Sequence, residues 1–319
     1  MFQSTRSTSE TSSQSSGNSQ GFRIKRSSYT RKSLDDPEST ESSDNENDFE
    51  PFLKKSWDIY SVSPLYRLDY SDIHLKRCSK WLREQIVNYV SEKKKDYEYL
   101  VQFSLIKSLK IGGNKNDYVK VEIQSKSADK TSILYEGILL ATRERPPKLH
   151  PAFTYLPTLM ARCSQDSANI VHGLLQKLFD CKICKSHLTT IDFKWLIAIF
   201  CTDLRVSKPV TISYTNRFKD EKNAINLEIP LDSSNKIWNR VRGENGENLT
   251  VTAEEVLEFH SLFNKIIEKY FEINVERLHF TKIKMYNFTV SYPFKIQIND
   301  SRLLKELLLF QGEDSIIFY

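Results

Sequence analysis

The chain contains no apolar run near the roughly 18 residues that a membrane-spanning helix needs. Its N-terminus is polar and Ser-rich and carries no apolar h-region, so no secretory signal is expected. Nine glycines and ten prolines in 319 residues exclude a collagen-like or low-complexity polymer. The five cysteines, Cys78, Cys163, Cys181, Cys184 and Cys201, are odd in number and lack tight spacing, which speaks against a disulfide framework and for reduced thiols in a nuclear or cytosolic protein. A phosphate-binding loop is missing too: "IGGNKND" lacks the Lys-Ser/Thr ending and the helix that should follow it. No Ser, Cys or Asp stands in a nucleophile motif.

What is present is a core. Apolar residues make up 39% of the chain, with 18 Phe and 15 Tyr. They are nearly absent from residues 1–50, which hold 19 Ser or Thr and carry six basic against nine acidic side chains. Such a segment cannot bury enough surface to offset ordering entropy, and a disordered tail is expected over 1–50. Within it, "FRIKRSSYTRKSLDDPE" turns from basic to acidic; Ser27, Ser28 and Ser33 sit beside basic residues as kinase targets would, and the basic part equally suits a nuclear import signal or a solvated tail without a role. Residues 51–150 carry 19 Lys or Arg against 12 Asp or Glu. A basic surface suits nucleic acid or acidic partners, and drift produces the same excess.

The periodicity predicts an α+β protein with antiparallel sheets, segregated helices and two halves, an N-terminal α+β unit over 51–145 and a C-terminal one over 152–319. An extended stretch over 57–70 is broken by Pro64, which should demote it to an edge or kinked strand. A helix capped by Ser71 or Asp72 follows, with Leu75, Cys78, Leu82, Ile86 and Tyr89 on one face. Strands over 97–107, 117–125 and 132–141 form a meander. "RERPPKLHPAF" is the boundary between the halves. Beyond it come a helix over 167–180, a buried helix or core strand at "FKWLIAIFCTD", strands over 209–216 and 224–230, and a short helix around Trp238. Thr252 and Glu255 make a capping box for a helix reaching about Phe271, its face built from Val256, Phe259, Phe263, Ile266 and Tyr270. Strands over 278–286 and 288–298, a helix at "LLKELLLF" and a terminal strand "SIIFY" complete the order.

One local motif has metal-ligand chemistry: Cys181, Cys184 and His187 in "CKICKSH". Zinc would need a fourth ligand, from His172 or Cys201 through the fold, since the second Cys or His pair is missing. Free thiols near a helix end are the plainer reading, and no metal is expected. His260 and His279 read as core or boundary residues. Lys93, Lys94 and Lys95 lie at a helix C-terminus, where cations also complement the helix dipole.

The stretch "KKSWDIYSVSPLYRLDYSDI" resembles the signature of the centromere protein L family, a subunit of the constitutive inner kinetochore: Lys55, Trp57, Tyr60, Ser61, Pro64, Leu65, Tyr66, Tyr70 and Ser71 carry the likeness. "FTYLPTLMARCSQDSANIVHGLLQKLFDC" with "IDFKWLIAIF", and "VTAEEVLEFHSLFNKIIEKYF", are similar to later blocks of that family. Cys184 and His187 do not belong to its pattern. The resemblance implies a non-catalytic structural subunit of the centromere-associated complex, in the nucleus at the kinetochore of the chromosome. It implies pairing with a centromere protein N-like chain through the C-terminal half, contact with other inner kinetochore subunits and with the centromeric nucleosome and its DNA, and a part in chromosome segregation. No cofactor, small-molecule substrate or membrane is implied. The rival readings are a free-standing basic α+β nucleic-acid-binding protein and a zinc-stabilised enzyme.

Two surfaces are expected. Apolar strands at the end of a chain make sheet edges that a partner's strand covers, which nominates Phe288, Val290, Tyr292, Phe294, Ile316, Ile317 and Phe318 for the partner interface. Lys93, Lys94, Lys95, Lys107, Lys110 and Lys115 are the expected phosphate contacts. Trp57, Tyr60, Leu65 and Tyr66 are expected to anchor the N-terminal sheet.

Overall fold

A computed structural model describes residues 28–30, 47–90, 98–106, 110–111, 114–115, 118–127, 130–201, 209–216, 224–243 and 250–313. The expected tail falls mostly outside these residues. Two pieces of it fall inside: a short strand, β1 (Ser28–Thr30), and a 3-10 turn over Asn47–Phe52. The core therefore begins before residue 51, since Phe49 and Phe52 are both buried and their rings lie 6.0 Å apart.

The signature stretch forms β2 (Ser56–Val62) and β3 (Leu65–Tyr66). β2 ends before Pro64, so the proline removes no ladder hydrogen bond from it, and the strand is central rather than an edge. α1 (Asp72–Val90) starts where the His74 amide donates to Ser71 Oγ, 3.4 Å away. It buries Leu75, Cys78, Leu82 and Ile86; Tyr89, expected on that face, is exposed. The meander follows as β4 (Glu98–Ile106), β7 (Tyr118–Lys126) and β8 (Thr131–Leu140), with a small hairpin of β5 (Lys110–Ile111) and β6 (Asn114–Lys115) between the first two. Alternate residues of β4 and β7 point into the core, the period of two that a half-buried strand requires.

The proline-rich segment does not end this sheet. β9 (Phe153–Thr154) pairs with β3, and β10 (Thr158–Cys163) inserts between β8 and β2. α2 (Gln165–Phe179) packs against β8, β10 and α1, its N-terminus capped by Ser164 and its end closed by Asp180 in the left-handed region. Cys184 lies in β11 (Ile183–Lys185), which pairs with the second half of β2. α3 (Thr190–Cys201) is the helical alternative for "FKWLIAIFCTD". It is buried almost all round, as a helix apolar on every face must be.

The C-terminal half adds β12 (Val210–Thr215), β13 (Ile225–Ile229), α4 (Leu231–Arg242), β14 (Thr250–Thr252) and α5 (Ala253–Phe271). The Thr252–Glu255 capping box is formed. The buried face of α5 is Val256, Phe259, His260, Phe263 and Ile267, which tracks 3.6 residues per turn; Ile266 and Tyr270, expected there, are 36% and 71% exposed. After a 3-10 turn over Val275–Arg277, the expected pair of strands is three: β15 (His279–Lys284), β16 (Phe288–Ser291) and β17 (Lys295–Ile298). α6 (Ser301–Glu313) lies against β17 and buries Leu303, Leu304, Leu307, Leu308 and Phe310.

These strands make one antiparallel sheet in the order β13-β12-β15-β16-β17-β2-β10-β8-β7-β4, with β11 sharing an edge of β2. The outer edge of β2 is divided: Ser56–Asp58 meet β17, and Tyr60–Val62 meet β11. β2 thus belongs to both halves, and buried residues from both form one hydrophobic cluster.

Candidate partner and nucleic-acid surfaces

Strand pairing arranges the C-terminal sheet into rows. One row runs Leu227, Ile212, Ile283, Val290, Ile296, Trp57 across six strands, and every member is buried. The neighbouring positions point the other way. They form a row of Lys282, Ser291, Lys295 and Asp58, and a second of Glu228, Thr211, Lys284, Thr289, Gln297 and Ser56. Lys282, Lys284 and Lys295 are exposed. The alternation in "TKIK" and "FKIQI" produces both faces at once, since successive side chains of a strand leave it on opposite sides.

Asp58 lies at the end of the first row, 3.1 Å from Lys185 and 3.8 Å from Lys295. Two lysines against one carboxylate leave the row cationic. Lys282 and Lys295 are two strand spacings apart, about 10 Å. Hydroxyls of Thr211, Thr289 and Ser291 lie among them. Ammonium groups interleaved with hydroxyl donors on an exposed sheet can meet phosphates without reading bases.

On the opposite face, toward β4, a second charged group is sealed into the fold. Glu136 is 2% exposed and meets Lys55 at 2.9 Å, Lys120 at 3.5 Å and Arg162 at 3.9 Å. A buried carboxylate is stable only when paired in this way. Lys120 also pairs with Glu122. Burial alone would lower the Lys120 pKa, but its hydrogen bonds and charge pairs with Glu122 and Glu136 outweigh that and raise it. Glu122 is lowered, chiefly by its hydrogen bond from Lys120.

The expected partner residues are placed differently. Phe288, Val290 and Phe294 are buried in the chain's own core, and β16 has a strand on each side, so these side chains offer a partner no surface. Tyr292 is half-buried, its ring 6.0 Å from that of His187. The reason is one of neighbours: β17 is followed in the sheet by β2, and a strand from the start of the chain is not visible in the local pattern. Ile316, Ile317 and Phe318 lie outside the described residues. So do Lys93, Lys94, Lys95 and Lys107; Lys110 and Lys115 stand opposite each other in the β5–β6 hairpin.

The two ends of the long sheet differ. At β4 the Phe103 amide donates to Ser79 Oγ of α1 at 2.9 Å, and that hydroxyl donates in turn to the Leu75 carbonyl. A helix side chain thus occupies this edge at Phe103. At the other end, β13 has a single strand neighbour, β12, among the described residues. An edge strand of this kind accepts main-chain pairing from another chain.

The signature aromatics serve packing. Trp57 Nε1 donates to the Phe52 carbonyl at 2.9 Å, and Tyr60 stands edge-on to His172 with ring centres 4.4 Å apart. Leu65 is buried, and Tyr66 packs on Phe153 at 5.3 Å. His172 Nε2 shares a hydrogen bond with Tyr135 Oη at 3.1 Å; burial, aided by the charge of Lys185, holds its pKa down at about 4. His260 bonds the Lys194 carbonyl at 2.9 Å, and burial holds it at about 3. His187 is lowered too, by burial and then by Lys185. Among the described residues no three His, Cys, Asp or Glu side chains come together as a metal site, and Cys184 faces Ser61 across β11 and β2.

The family described as Centromere protein L matches residues 51–311 of the chain. Centromere protein L of Mus musculus is 24% identical over 267 residues, which is 78% of this chain and 79% of that protein. The Homo sapiens protein of the same name is 24% identical over 287 residues, covering 83% and 79%. The Gallus gallus protein is 24% identical over 249 residues, covering 72% and 70%.

Proposed function

The chain belongs to the centromere protein L family, and we propose that it works as a non-catalytic structural subunit of the inner kinetochore, pairing with a centromere protein N-like chain and helping to hold the assembly on centromeric nucleosomes. The match across residues 51–311 carries this reading, because it spans both halves of the single sheet rather than one motif. Partner pairing is assigned to the C-terminal half, at the β13 edge, where main-chain donors and acceptors extend the sheet. The lysine rows of β15 and β17 lie against DNA phosphates, with binding that is electrostatic and independent of sequence.

The same lysine rows also suit a free-standing nucleic-acid-binding protein. Purification of the tagged chain from dividing cells separates the two. Recovery of a centromere protein N-like chain, together with slowed hydrogen exchange over Ile225–Ile229 when the two are mixed, supports the proposal. A monodisperse monomer that ignores that partner at micromolar concentration and binds DNA alone overturns it.

A further inference from the structure

β14 is a strand with only one open side. The carbonyl of Thr250 accepts from Arg242 at 2.7 Å, and the amide of Thr252 donates to Glu255 Oε2 at 2.7 Å. Residues 250 and 252 of a strand aim their backbone groups the same way, so that side is taken by the two side chains. The other side is left to the N–H and C=O of Val251. β1 fills it, in antiparallel register, with Ser28 opposite Thr252, Tyr29 opposite Val251 and Thr30 opposite Thr250. β1 and β14 pair with no other strand among the described residues. A segment of the N-terminal tail is therefore bound, as a three-residue strand, at the start of α5.

So short a pairing is weak, because few hydrogen bonds must offset the ordering of the segment. It persists through tethering, which keeps the tail's local concentration high. In sequence, β1 is flanked by Lys25, Arg26, Arg31 and Lys32, and α5 opens with Glu254 and Glu255.

We propose that Ser28 is a phosphorylation site and that its phosphorylation releases β1 from β14. Ser28 is exposed, with Arg26 two residues and Lys25 three residues before it, a basic context for a basophilic kinase. The kinase transfers the γ-phosphoryl group of a nucleoside triphosphate to Ser28 Oγ, and the diphosphate and the hydroxyl proton leave. Directly opposed residues of an antiparallel pair hold their Cβ atoms about 4.5–5.5 Å apart. The phosphate therefore arrives beside Thr252, next to the carboxylates of Glu254 and Glu255, and brings about 1.5 to 2 negative charges. The α5 N-terminus favours anions, but two carboxylates already occupy its first turn, and Thr252 Oγ1 already accepts the Glu255 amide at 3.3 Å. Arg242, the cation that the described residues place at this turn, is bound to the Thr250 carbonyl and lies 3.6 Å from Glu255. Repulsion prevails, and β1 leaves the Val251 edge.

The test is amide hydrogen exchange on three forms of the full chain: unmodified, phosphoserine at position 28, and Tyr29→Pro, which removes the central amide of β1. Both altered forms should exchange the Val251 amide at least tenfold faster than the unmodified chain, while amides in the middle of α5 stay unchanged as a check on folding. A Tyr29→Pro chain with normal Val251 exchange refutes the strand. A phosphorylated chain whose Val251 amide exchanges at the same rate or more slowly refutes the switch.

Discussion

Lys295 of β17 stands directly opposite Asp58 of β2, its ammonium 3.8 Å from the carboxylate. The contact marks a seam. The last strand among the described residues is hydrogen-bonded to the first strand of the N-terminal half, so the two halves share one sheet.

Removing a side chain at this seam should destabilise the whole molecule. Ile296 faces Trp57 across it, and both are 1% exposed. Trp57→Ala should cost about 3–5 kcal/mol and Ile296→Ala about 2–5 kcal/mol. Urea unfolding followed by tryptophan fluorescence and by far-UV circular dichroism should give one coincident transition in each variant. Two separated transitions would show that the halves unfold independently.

The tail has a sharp boundary. Deleting residues 1–46 should leave the melting temperature within about a degree, because that segment supplies few apolar side chains. Deleting 1–52 should lower it by many degrees, since Phe49 and Phe52 are in the core and Phe52 lends its carbonyl to Trp57. Equal stability of the two truncations would contradict the packing of the 3-10 turn.

Stability should fall on mild acidification. His172 and His260 are held at about 4 and about 3, against 6.5 in an unfolded chain. The unfolded state therefore binds their protons first. Their contribution is fully present above pH 6.5 and is lost as the pH falls through 6 and 5 toward those lower values. The slope should approach about 1.4 kcal/mol per pH unit for each histidine. Urea midpoints between pH 7.5 and 5 measure it, and His172→Gln should flatten the dependence by up to one proton. A dependence as steep in that variant as in the parent would remove His172 from the account.

Charge reversal of Lys282 and Lys284, with Lys295 kept opposite Asp58, should weaken DNA binding by the assembled complex without lowering the melting temperature, because the two side chains are exposed. For every phosphate that a lysine no longer neutralises, the slope of log K against log salt should shrink by about one. An unaltered slope would clear this face of the role.

Local pattern reached the elements whose partners are close in sequence. Alternation in Tyr99, Val101 and Phe103 suffices for β4 because β7 follows after a short excursion. The capping box needs only Thr252 and Glu255. What stayed hidden was set by distant neighbours. Nothing near Phe288 or Val290 says that β16 is interior, because β2 closes that flank of the sheet from the other end of the chain. The Cys181–His187 motif reads as free thiols near a helix end, but that Cys184 sits in a strand paired with Ser61 is equally remote from the local pattern. The lysine rows are not among the phosphate contacts expected from sequence: "TKIK" and "FKIQI" alternate as any half-buried strand does, and their common face emerges only once β15, β16 and β17 are laid side by side.

The divided edge of β2 also constrains the order of events during synthesis. β2 leaves the ribosome early, and its pairing strand for Ser56–Asp58 is made about 240 residues later. At 5–20 residues per second that interval is on the order of 10–50 s. Throughout it the nascent chain carries an aromatic-rich strand, Trp57 included, with half of one edge unpaired. Ribosome-bound chains stalled before Lys295 should therefore recruit chaperones that recognise extended apolar segments, and chains stalled after α6 has emerged should release them.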